Sequence, residues 1–143
     1  EYNCRFGDPE TQPIMLRMRS DLVAHCLAAL DGRLNHEATD WDPRCAVGVV
    51  LAAGGYPGSY RKGDVIEGLP EHEEDGRKVF HAGTAEKDGQ VVTAGGRVLC
   101  ATALGDSVAE AQAAAYRLAE QISWEGVFCR HDIGFRAIAR ESD

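Results

Sequence analysis

The first five residues combine side chains that could together bind a metal ion and a phosphate. Glu1, Asn3 and Arg5 alternate with less polar residues. In a β-strand, residues two apart lie on the same face, roughly 6–7 Å from each other. The carboxylate of Glu1 and the amide oxygen of Asn3 are ligands of the kind that Mg²⁺ prefers. The guanidinium of Arg5 could hold a phosphate or a carboxylate beside them. A solvent-facing strand with a Glu–Arg ion pair at its edge would show the same short pattern, so residue types alone leave both interpretations open.

Asp8 is the next candidate, because it lies between a turn and a helix start. Gly7 permits a sharp turn, Asp8 could cap a helix, and Pro9 suits the first helical position. Asp8 and Glu10 already place negative charge at this helix end, which disfavours a phosphate there. Asp8 therefore either caps the helix or faces a substrate amine.

The elements that follow are helical up to residue 31 and extended after residue 44. The apolar spacing predicts a helix from Pro9 to Met18 and a second helix that Ser20 caps and Gly32 ends. The polar segment at 35–42 predicts a domain boundary. Strands are predicted for CAVGVVLAA, DVIEG, VFHAGTAE, QVVTA and RVLCATAL, of which the last three form a meander with tight turns at Asp88-Gly89 and Gly95-Gly96.

Ser107 and Glu110 form a capping box for a helix that extends to about Ile122, and VFCRHDIGF predicts a last strand before a short C-terminal turn of helix. The predicted fold class is α+β: a strand and two helices, followed by an antiparallel sheet with a helix packed on one face. Two polar segments stay ambiguous. GGYPG at 54–58 either lets the backbone approach a ligand or makes a structural loop, and in RHDIGFR at 130–136 local pairing of Arg130 with Asp132 is favoured.

Composition and charge exclude several classes of protein. The net charge of −8 disfavours nucleic acid as a partner. No apolar run approaches the ~20 residues that span a bilayer, and we find no signal peptide. The five cysteines are scattered, odd in number and without a C-x-x-C pair, which predicts reduced thiols in a cytoplasmic protein.

The segment RFGDPETQ at 5–12 closely resembles the signature of the phosphoribosylamine–glycine ligase family, which belongs to the ATP-grasp superfamily. Four later segments resemble the C-terminal region of the same family and occur in the same order: GVVLAAGGYPGSYRKGDVIEGLP, VFHAGT, VVTAGGRVLCATALGDSVAEAQ and FCRHDIGFRAI. The resemblance covers essentially the whole chain.

This resemblance implies roles for the residues at the front of the chain. In the superfamily an E-x-N pair on a strand holds the Mg²⁺ or Mn²⁺ that bridges the phosphates of ATP, which assigns Glu1 and Asn3 as metal ligands. Catalytic roles follow for Arg5, as the group that stabilises an acyl phosphate or the glycine carboxylate, and for Asp8. The implied reaction joins glycine to 5-phosphoribosylamine through a glycyl phosphate. It consumes ATP and yields glycinamide ribonucleotide, ADP and phosphate in purine biosynthesis.

The resemblance also divides the chain and exposes a deficit. Residues 1–40 resemble the end of an ATP-grasp domain, and residues 41–143 resemble the C-terminal α+β domain. Lysine occurs only at 62, 78 and 87, and no glycine-rich phosphate loop is present, so no residue here is assigned to ATP itself. We therefore expect a chain that corresponds to the last third of the enzyme, has no ligase activity alone, and could self-associate through residues 1–6, an unpaired strand.

Two alternatives stay open. The first is a non-catalytic, stand-alone binding or interaction module with the same C-terminal fold. The second is a piece of another ATP-grasp enzyme, such as a carboxylase component, for which RFGDPE at 5–10 gives no support.

Overall fold

The fold was analysed in a computed structural model that describes residues 5–7, 10–72 and 74–141. Its helices and strands occur in the order α1 (Thr11–Arg17), α2 (Leu22–Leu30), β1 (Cys45–Ala52), β2 (Arg77–His81), β3 (Thr84–Lys87), β4 (Gln90–Thr93), β5 (Arg97–Gly105), α3 (Val108–Ala119) and α4 (Phe135–Glu141), with a turn of 3₁₀ helix at Leu34–His36. One sheet has the strand order β1-β5-β2, and β3 pairs with β4 separately. Every one of these pairings is antiparallel, which confirms the predicted α+β class.

The hydrophobic core lies between the three-stranded sheet and α3. Val49 of β1 lies opposite Ala101 of β5, which in turn lies opposite Val79 of β2. Val49 and Ala101 are fully buried, as is Ala115 of α3. The helix approaches the sheet closely because Gly105 has no side chain: a Cβ there would lie 2.3 Å from the backbone nitrogen of Ala111.

The predicted start of α3 is confirmed. Ser107 is the N-cap, and its hydroxyl accepts a hydrogen bond from the Glu110 N–H at 3.2 Å. The Glu110 carboxylate accepts from the N–H of Asp106, one residue before the cap, at 3.0 Å. The Ser107 half of the predicted capping box is therefore present, whereas the Glu110 carboxylate bonds to the residue before the cap rather than to the cap itself. The helix ends at Ala119 rather than at Ile122.

The opposite face of the sheet is covered by α1. Gly48 of β1 lies opposite Thr102 of β5. A Cβ on Gly48 would lie 3.0 Å from Cys100 Sγ and 3.3 Å from Cγ of Pro13. The glycine therefore allows α1 to pack close to the strands. The side chains of α1 itself stay only partly buried.

Asp42 fastens the end of α1 to the start of β1. Its N–H donates to the Arg17 carbonyl at 2.7 Å, and the Arg17 guanidinium donates back to the Asp42 carbonyl at 3.2 and 3.1 Å. The Asp42 carboxylate accepts from Arg44 Nε and Nη2 at 2.9 and 2.8 Å and from Arg19 Nη2 at 2.8 Å. The Arg44 guanidinium, with its N–H and with Arg19, holds the pKa of this buried carboxyl well below its usual range.

The predicted meander is wrong in two respects. The segment VFHAGTAE is not one strand, because β2 ends at His81 and β3 begins at Thr84 in the other sheet. β3 and β4 form the expected hairpin, and its turn residues Asp88 and Gly89 have φ angles of 52° and 76°. The turn at Gly95-Gly96 does not make a second hairpin, because β5 pairs with β1 and β2 instead. Gly83 explains the change of direction: its carbonyl accepts hydrogen bonds from Ala94 and Gly95 at 2.7 and 3.0 Å, which ends the β3–β4 ladder there.

Two other predicted strands are wrong. In DVIEG, Val65 bridges to Val92 and Glu67 bridges to Ser123, so the segment alternates between two neighbours without forming a strand. In VFCRHDIGF, a single bridge joins Phe128 to Ala52. The short helix predicted after it is present as α4.

The first helices also differ from their predictions. α1 begins at Thr11, with Glu10 as its N-cap, rather than at Pro9. Asp21, not Ser20, caps α2 through the Val23 N–H at 2.8 Å, while the Ser20 hydroxyl accepts a hydrogen bond from the Asp40 N–H. Apolar residues of α2 are exposed in this structure, with Val23, Leu27 and Leu30 at 63%, 57% and 84% of their accessible area. Across the described residues, no helix has the length and apolar content needed to cross a membrane.

Candidate functional site

Three of the four predicted site residues lie outside the described residues. These are Glu1 and Asn3, predicted to bind the metal, and Asp8, predicted to be catalytic. Arg5 is described and exposed, and its Nη1 donates to the Phe6 carbonyl at 3.2 Å. Within residues 5–7, 10–72 and 74–141, no group of three or more His, Cys, Asp or Glu side chains is placed to hold a metal ion. The metal and catalytic assignments therefore stay predictions.

Hydrogen bonds join Gly7 of the RFGDPETQ segment to the start of α1. The Gly7 carbonyl accepts from the N–H groups of Glu10 and Thr11 at 3.1 and 3.3 Å, and from the Thr11 hydroxyl at 3.0 Å. A Cβ on Gly7 would lie 2.3 Å from the Glu10 carboxyl group, so the Glu10 side chain occupies that space. These contacts of Gly7 fix the start of α1 and with it the position of Gln12.

Gln12 lines an open cleft of about 400 Å³ on the α1 side of the sheet. The other walls come from the loop that follows β1, through Tyr56 and Tyr60, and from the β2–β3 connection, through Gly83. Gly96 of the β4–β5 connection and Arg97, the first residue of β5, complete them. The last residue of the signature segment and the GGYPG loop thus face the same space, although they are far apart in sequence. Small-molecule sites in proteins commonly have volumes of about 300–1,000 Å³.

The walls of the cleft are tightly packed around glycine residues. A Cβ on Gly96 would lie 2.2 Å from Cδ2 of Tyr56, and a Cβ on Gly83 would lie 2.6 Å from Cα of Gly95. The Gly96 carbonyl accepts from the Ala53 N–H at 2.8 Å, which ties the loop to the β4–β5 connection. Side chains at positions 83 and 96 would therefore push these segments apart.

Charge and aromatic surface meet at one wall of the cleft. The Arg97 guanidinium carbon lies 5.9 Å from the centre of the Tyr56 ring, a distance typical of a cation–π contact. The Tyr56 and Tyr60 rings meet edge to face with centroids 6.2 Å apart. Across the cleft, the Gln12 Oε1 atom is buried and has no hydrogen-bond partner among the described residues. Buried acceptors normally have a partner, so this unsatisfied oxygen is unusual.

Sequence reasoning missed Gln12, Tyr56 and Arg97 as a group. GGYPG was singled out with its role left open, Gln12 belongs to the signature segment, and Arg97 belongs to VVTAGGRVLCATALGDSVAEAQ, so all three lay within segments that resemble the family. Arg97 was not singled out by itself, because only the packing of the first residue of β5 against the loop after β1 brings it to the cleft. The prediction for Arg130 and Asp132 is confirmed: they form a two-bond ion pair at 2.9 and 2.7 Å, and Arg130 lowers the pKa of Asp132.

Comparison with known proteins gives consistent results. The family model "Phosphoribosylglycinamide synthetase, C domain" matches residues 46–136, which is more than half of the chain. The chain is 68% identical over 143 residues to the phosphoribosylamine–glycine ligase of Vibrio parahaemolyticus and 65% identical over 144 to that of Escherichia coli. Both alignments cover all of this chain and 33% and 34% of the relative, so the chain spans about a third of the length of these proteins.

A solved structure agrees with these relatives. The crystal structure of the phosphoribosylamine–glycine ligase of Thermotoga maritima superposes with a TM-score of 0.72 and 41% sequence identity. The match covers 92% of this chain and 32% of that one. The similarity therefore extends beyond the residues that the family model matches. The chain belongs to the phosphoribosylglycinamide synthetase family and contains its C domain.

Proposed function

We propose that this chain is the C-terminal part of a ligase that joins glycine to 5-phosphoribosylamine, with hydrolysis of ATP to ADP and phosphate. The observation that supports this most directly is the 68% identity to a phosphoribosylamine–glycine ligase over the whole chain. The aligned region includes RFGDPETQ, the segment that would have to contribute to the chemistry. The proposed pathway is purine biosynthesis, and the proposed location is the cytoplasm.

The chemistry has two steps. A carboxylate oxygen of glycine attacks the γ-phosphorus of ATP, which forms glycyl phosphate and releases ADP. The amine of 5-phosphoribosylamine then attacks the acyl carbon, which forms the amide and releases phosphate and a proton. Enzymes that transfer phosphoryl groups act mainly by positioning the reactants and neutralising charge. In this proposal Arg5 stabilises the glycyl phosphate or the glycine carboxylate, and Asp8 either caps α1 or faces a substrate amine.

The donor set at the front of the chain fits a hard divalent cation. Glu1 supplies a carboxylate and Asn3 an amide oxygen, which are ligands that suit Mg²⁺ or Mn²⁺. When bound there, the cation would neutralise charge on the phosphates of ATP. Two protein ligands leave most coordination positions to phosphate oxygens and water. This chain alone should therefore hold the metal weakly.

A chimeric enzyme tests the proposed function. The segment of the Escherichia coli ligase that aligns with this chain is replaced by the chain itself, since the two are 65% identical over 144 residues. We expect the chimera to restore growth of a strain without its own ligase on purine-free medium, and to release phosphate only when glycine, 5-phosphoribosylamine and ATP are all present. A stably folded chimera without ligase activity would contradict the proposal and favour a non-catalytic module.

Variants of the chimera test whether the predicted site residues contribute more to ligase activity than an exposed surface residue does. Glu1→Gln should lower kcat/KM by roughly 10²-fold or more and raise the Mg²⁺ concentration needed for half-maximal rate, because a transition-state electrostatic contact is lost. Glu86→Gln, on exposed strand β3, is the matched control and should leave both values unchanged. If Asp8→Asn leaves the KM for glycine and the KM for 5-phosphoribosylamine both unchanged, Asp8 does not face a substrate amine, and the capping role is the one that stays.

The isolated 143-residue chain is proposed to be inactive. Its three lysines and its lack of a glycine-rich phosphate loop give it no evident means of holding ATP. Turnover of the three substrates by the purified chain would contradict this. We also propose that residues 1–6 favour self-association of the isolated chain, which sedimentation of the chain with and without these residues would measure.

A further inference from the structure

We propose that Tyr116 of α3 is a positioning residue for the GGYPG loop at residues 54–58, although it lies on the opposite face of the sheet from the cleft beside α1. Its hydroxyl group holds the irregular segment 126–133 on α3, and this segment in turn holds the start of the loop. The effect on the reaction rests on the proposed function, because the loop forms a wall of that cleft through Tyr56.

The Tyr116 hydroxyl group uses both of its hydrogen-bonding functions on segment 126–133. It donates to the Arg130 carbonyl at 2.7 Å and accepts from the Ile133 N–H at 3.1 Å. The Tyr116 ring also stacks on the His131 ring, with centroids 6.2 Å apart and an interplanar angle of 18°. One side chain of α3 thus fixes the backbone at both ends of residues 130–133.

Segment 126–133 depends on such side-chain contacts, because it lies between α3 and α4 outside any helix or strand of the described chain. Among the described residues, its backbone forms a bridge to a strand at Phe128 alone. Gln112, one helical turn before Tyr116, donates a further bond to the Ile133 carbonyl at 2.5 Å. An irregular segment takes its position from the groups that satisfy its backbone polar atoms. For residues 130–133, α3 supplies these groups.

The other end of the segment is paired with the residues that lead into the GGYPG loop. The Ala52 N–H donates to the Phe128 carbonyl at 2.8 Å, and the Phe128 N–H donates to the Ala52 carbonyl at 3.1 Å. Beyond this pair, Gly54 and Gly126 lie in close contact, since a Cβ on Gly54 would lie 2.8 Å from the Gly126 carbonyl oxygen. A displacement of segment 126–133 would therefore displace the start of the loop.

Hydrogen bonds within the loop continue this link to the wall of the cleft. The Ala53 carbonyl accepts from the Tyr56 N–H at 3.0 Å, and the Ala53 N–H donates to the Gly96 carbonyl at 2.8 Å. Tyr56 lines the cleft. The helix that covers the apolar face of the sheet thus anchors a loop that lines the cleft on the other face.

Amide hydrogen exchange of the chimeric ligase tests this link. Tyr116→Phe keeps the aromatic ring beside His131 but removes both hydrogen bonds of the hydroxyl group. We expect exchange at the amides of Ala52, Tyr56 and Phe128 to become roughly three- to tenfold faster, which corresponds to the loss of about one hydrogen bond. Exchange at the amides of β5 is the internal reference and should change less.

Val79→Ala is the control for a general loss of stability. Val79 lies on β2, at the edge of the sheet opposite β1, and packs against the core. Removing its methyl groups should destabilise the whole domain. We therefore expect exchange at Ala52, Tyr56 and Phe128 to change no more than exchange at β5.

Steady-state kinetics measure the consequence for the reaction. Apparent affinity falls with the fraction of molecules in which the binding site is ordered. Tyr116→Phe should therefore raise the KM for at least one of glycine, 5-phosphoribosylamine and ATP by roughly three- to tenfold, with kcat changed by less than about twofold. Val79→Ala should leave all three KM values unchanged, because a general loss of stability lowers the amount of folded enzyme and not its affinity.

Exchange at Ala52, Tyr56 and Phe128 that Tyr116→Phe does not speed up, or speeds up no more than at β5, overturns the proposal. An active chimera in which Tyr116→Phe leaves all three KM values unchanged also overturns it, and leaves the proposed function intact. If the chimera lacks ligase activity, the proposed function has failed, and the exchange measurement alone decides whether Tyr116 positions the loop.

Discussion

The two faces of the three-stranded sheet are covered in different ways. Towards α3, the strand residues are apolar and almost fully enclosed, as Val49 and Ala101 are, and the covering helix has twelve residues. Towards α1, the strands present Gly48, Cys100 and Thr102, and the covering helix has seven residues, none of them fully buried. The first face excludes water over a wide area. The second leaves an open cleft beside the helix.

This difference indicates that the face against α3 stabilises the domain, whereas the face against α1 leaves space for binding. Apolar burial against α3 supplies the main driving force for folding, because the hydrophobic free energy scales with the area removed from water. The α1 side is held instead by polar contacts through Asp42 and by one close approach at Gly48. A face of this kind can contain unsatisfied polar groups such as Gln12 Oε1 because the other face already stabilises the domain.

Neighbouring valines on β1 test this comparison with the largest expected effect. Val49 faces α3 and is fully buried, whereas Val50 is half-buried and lines the cleft. Val49→Ala should lower the free energy of unfolding by about 2–3 kcal/mol, from about 0.8 kcal/mol for each buried carbon removed plus a cavity term. Val50→Ala should cost less than about 1 kcal/mol. Urea denaturation measures both, and equal losses would show that the two faces contribute alike.

Asp42 tests the polar attachment of α1, with a smaller expected effect. Asp42→Asn should lower the melting temperature at pH 7, because the Arg44 and Arg19 guanidinium groups lose a charged acceptor. The loss should be smaller than that of Val49→Ala, since the side chains of Arg19 and Arg44 are 54% and 30% exposed and water can solvate them. Asp132→Asn is the matched control: that carboxylate also pairs with an arginine, but its side chain is 51% exposed and should contribute little.

The effect of Asp42 should depend on pH in a defined direction. Its pKa is lowered in the folded protein, so its stabilising contribution is complete above the unfolded-state pKa of about 3.9 and falls as the pH drops towards the folded value. The difference in melting temperature between the wild type and Asp42→Asn should be constant between about pH 5 and 7 and shrink below about pH 4. A difference that grows on acidification would contradict the assigned ion pairs.

The sequence predicted the features that depend on a few adjacent residues. The Ser107 cap and the Asp88-Gly89 turn were correct, because each is determined by local hydrogen bonds and backbone conformation. The strand predicted at VFCRHDIGF was wrong, because its apolar pattern is satisfied by packing while only Phe128 pairs with another strand. The meander failed for a similar reason: the partner of β5 is set by contacts along the whole strand rather than by the turn before it.

The candidate site shows the same contrast between features that adjacent residues determine and features that packing determines. RFGDPETQ identified the family from residue types alone, and the roles of Glu1, Asn3 and Asp8 are still predictions. The group formed by Gln12, Tyr56 and Arg97 could not be predicted, since it arises where α1 and two loops meet on the sheet. Local patterns predict capping and turns, but convergence of distant loops requires the packed structure.

The smallest expected effect compares two helix caps. Ser107 caps α3, which is packed on the sheet, and Asp21 caps α2, several of whose apolar residues are exposed. Ser107→Ala should cost about 1 kcal/mol of global stability, because α3 cannot fray without opening the core. Asp21→Ala should leave the global melting temperature nearly unchanged and instead speed amide hydrogen exchange within α2. An Asp21→Ala variant that lowered the global melting temperature by as much as Ser107→Ala would contradict this expectation. Such a result would mean that α2 unfolds together with the core, so that α2 could not be described as a loosely held segment.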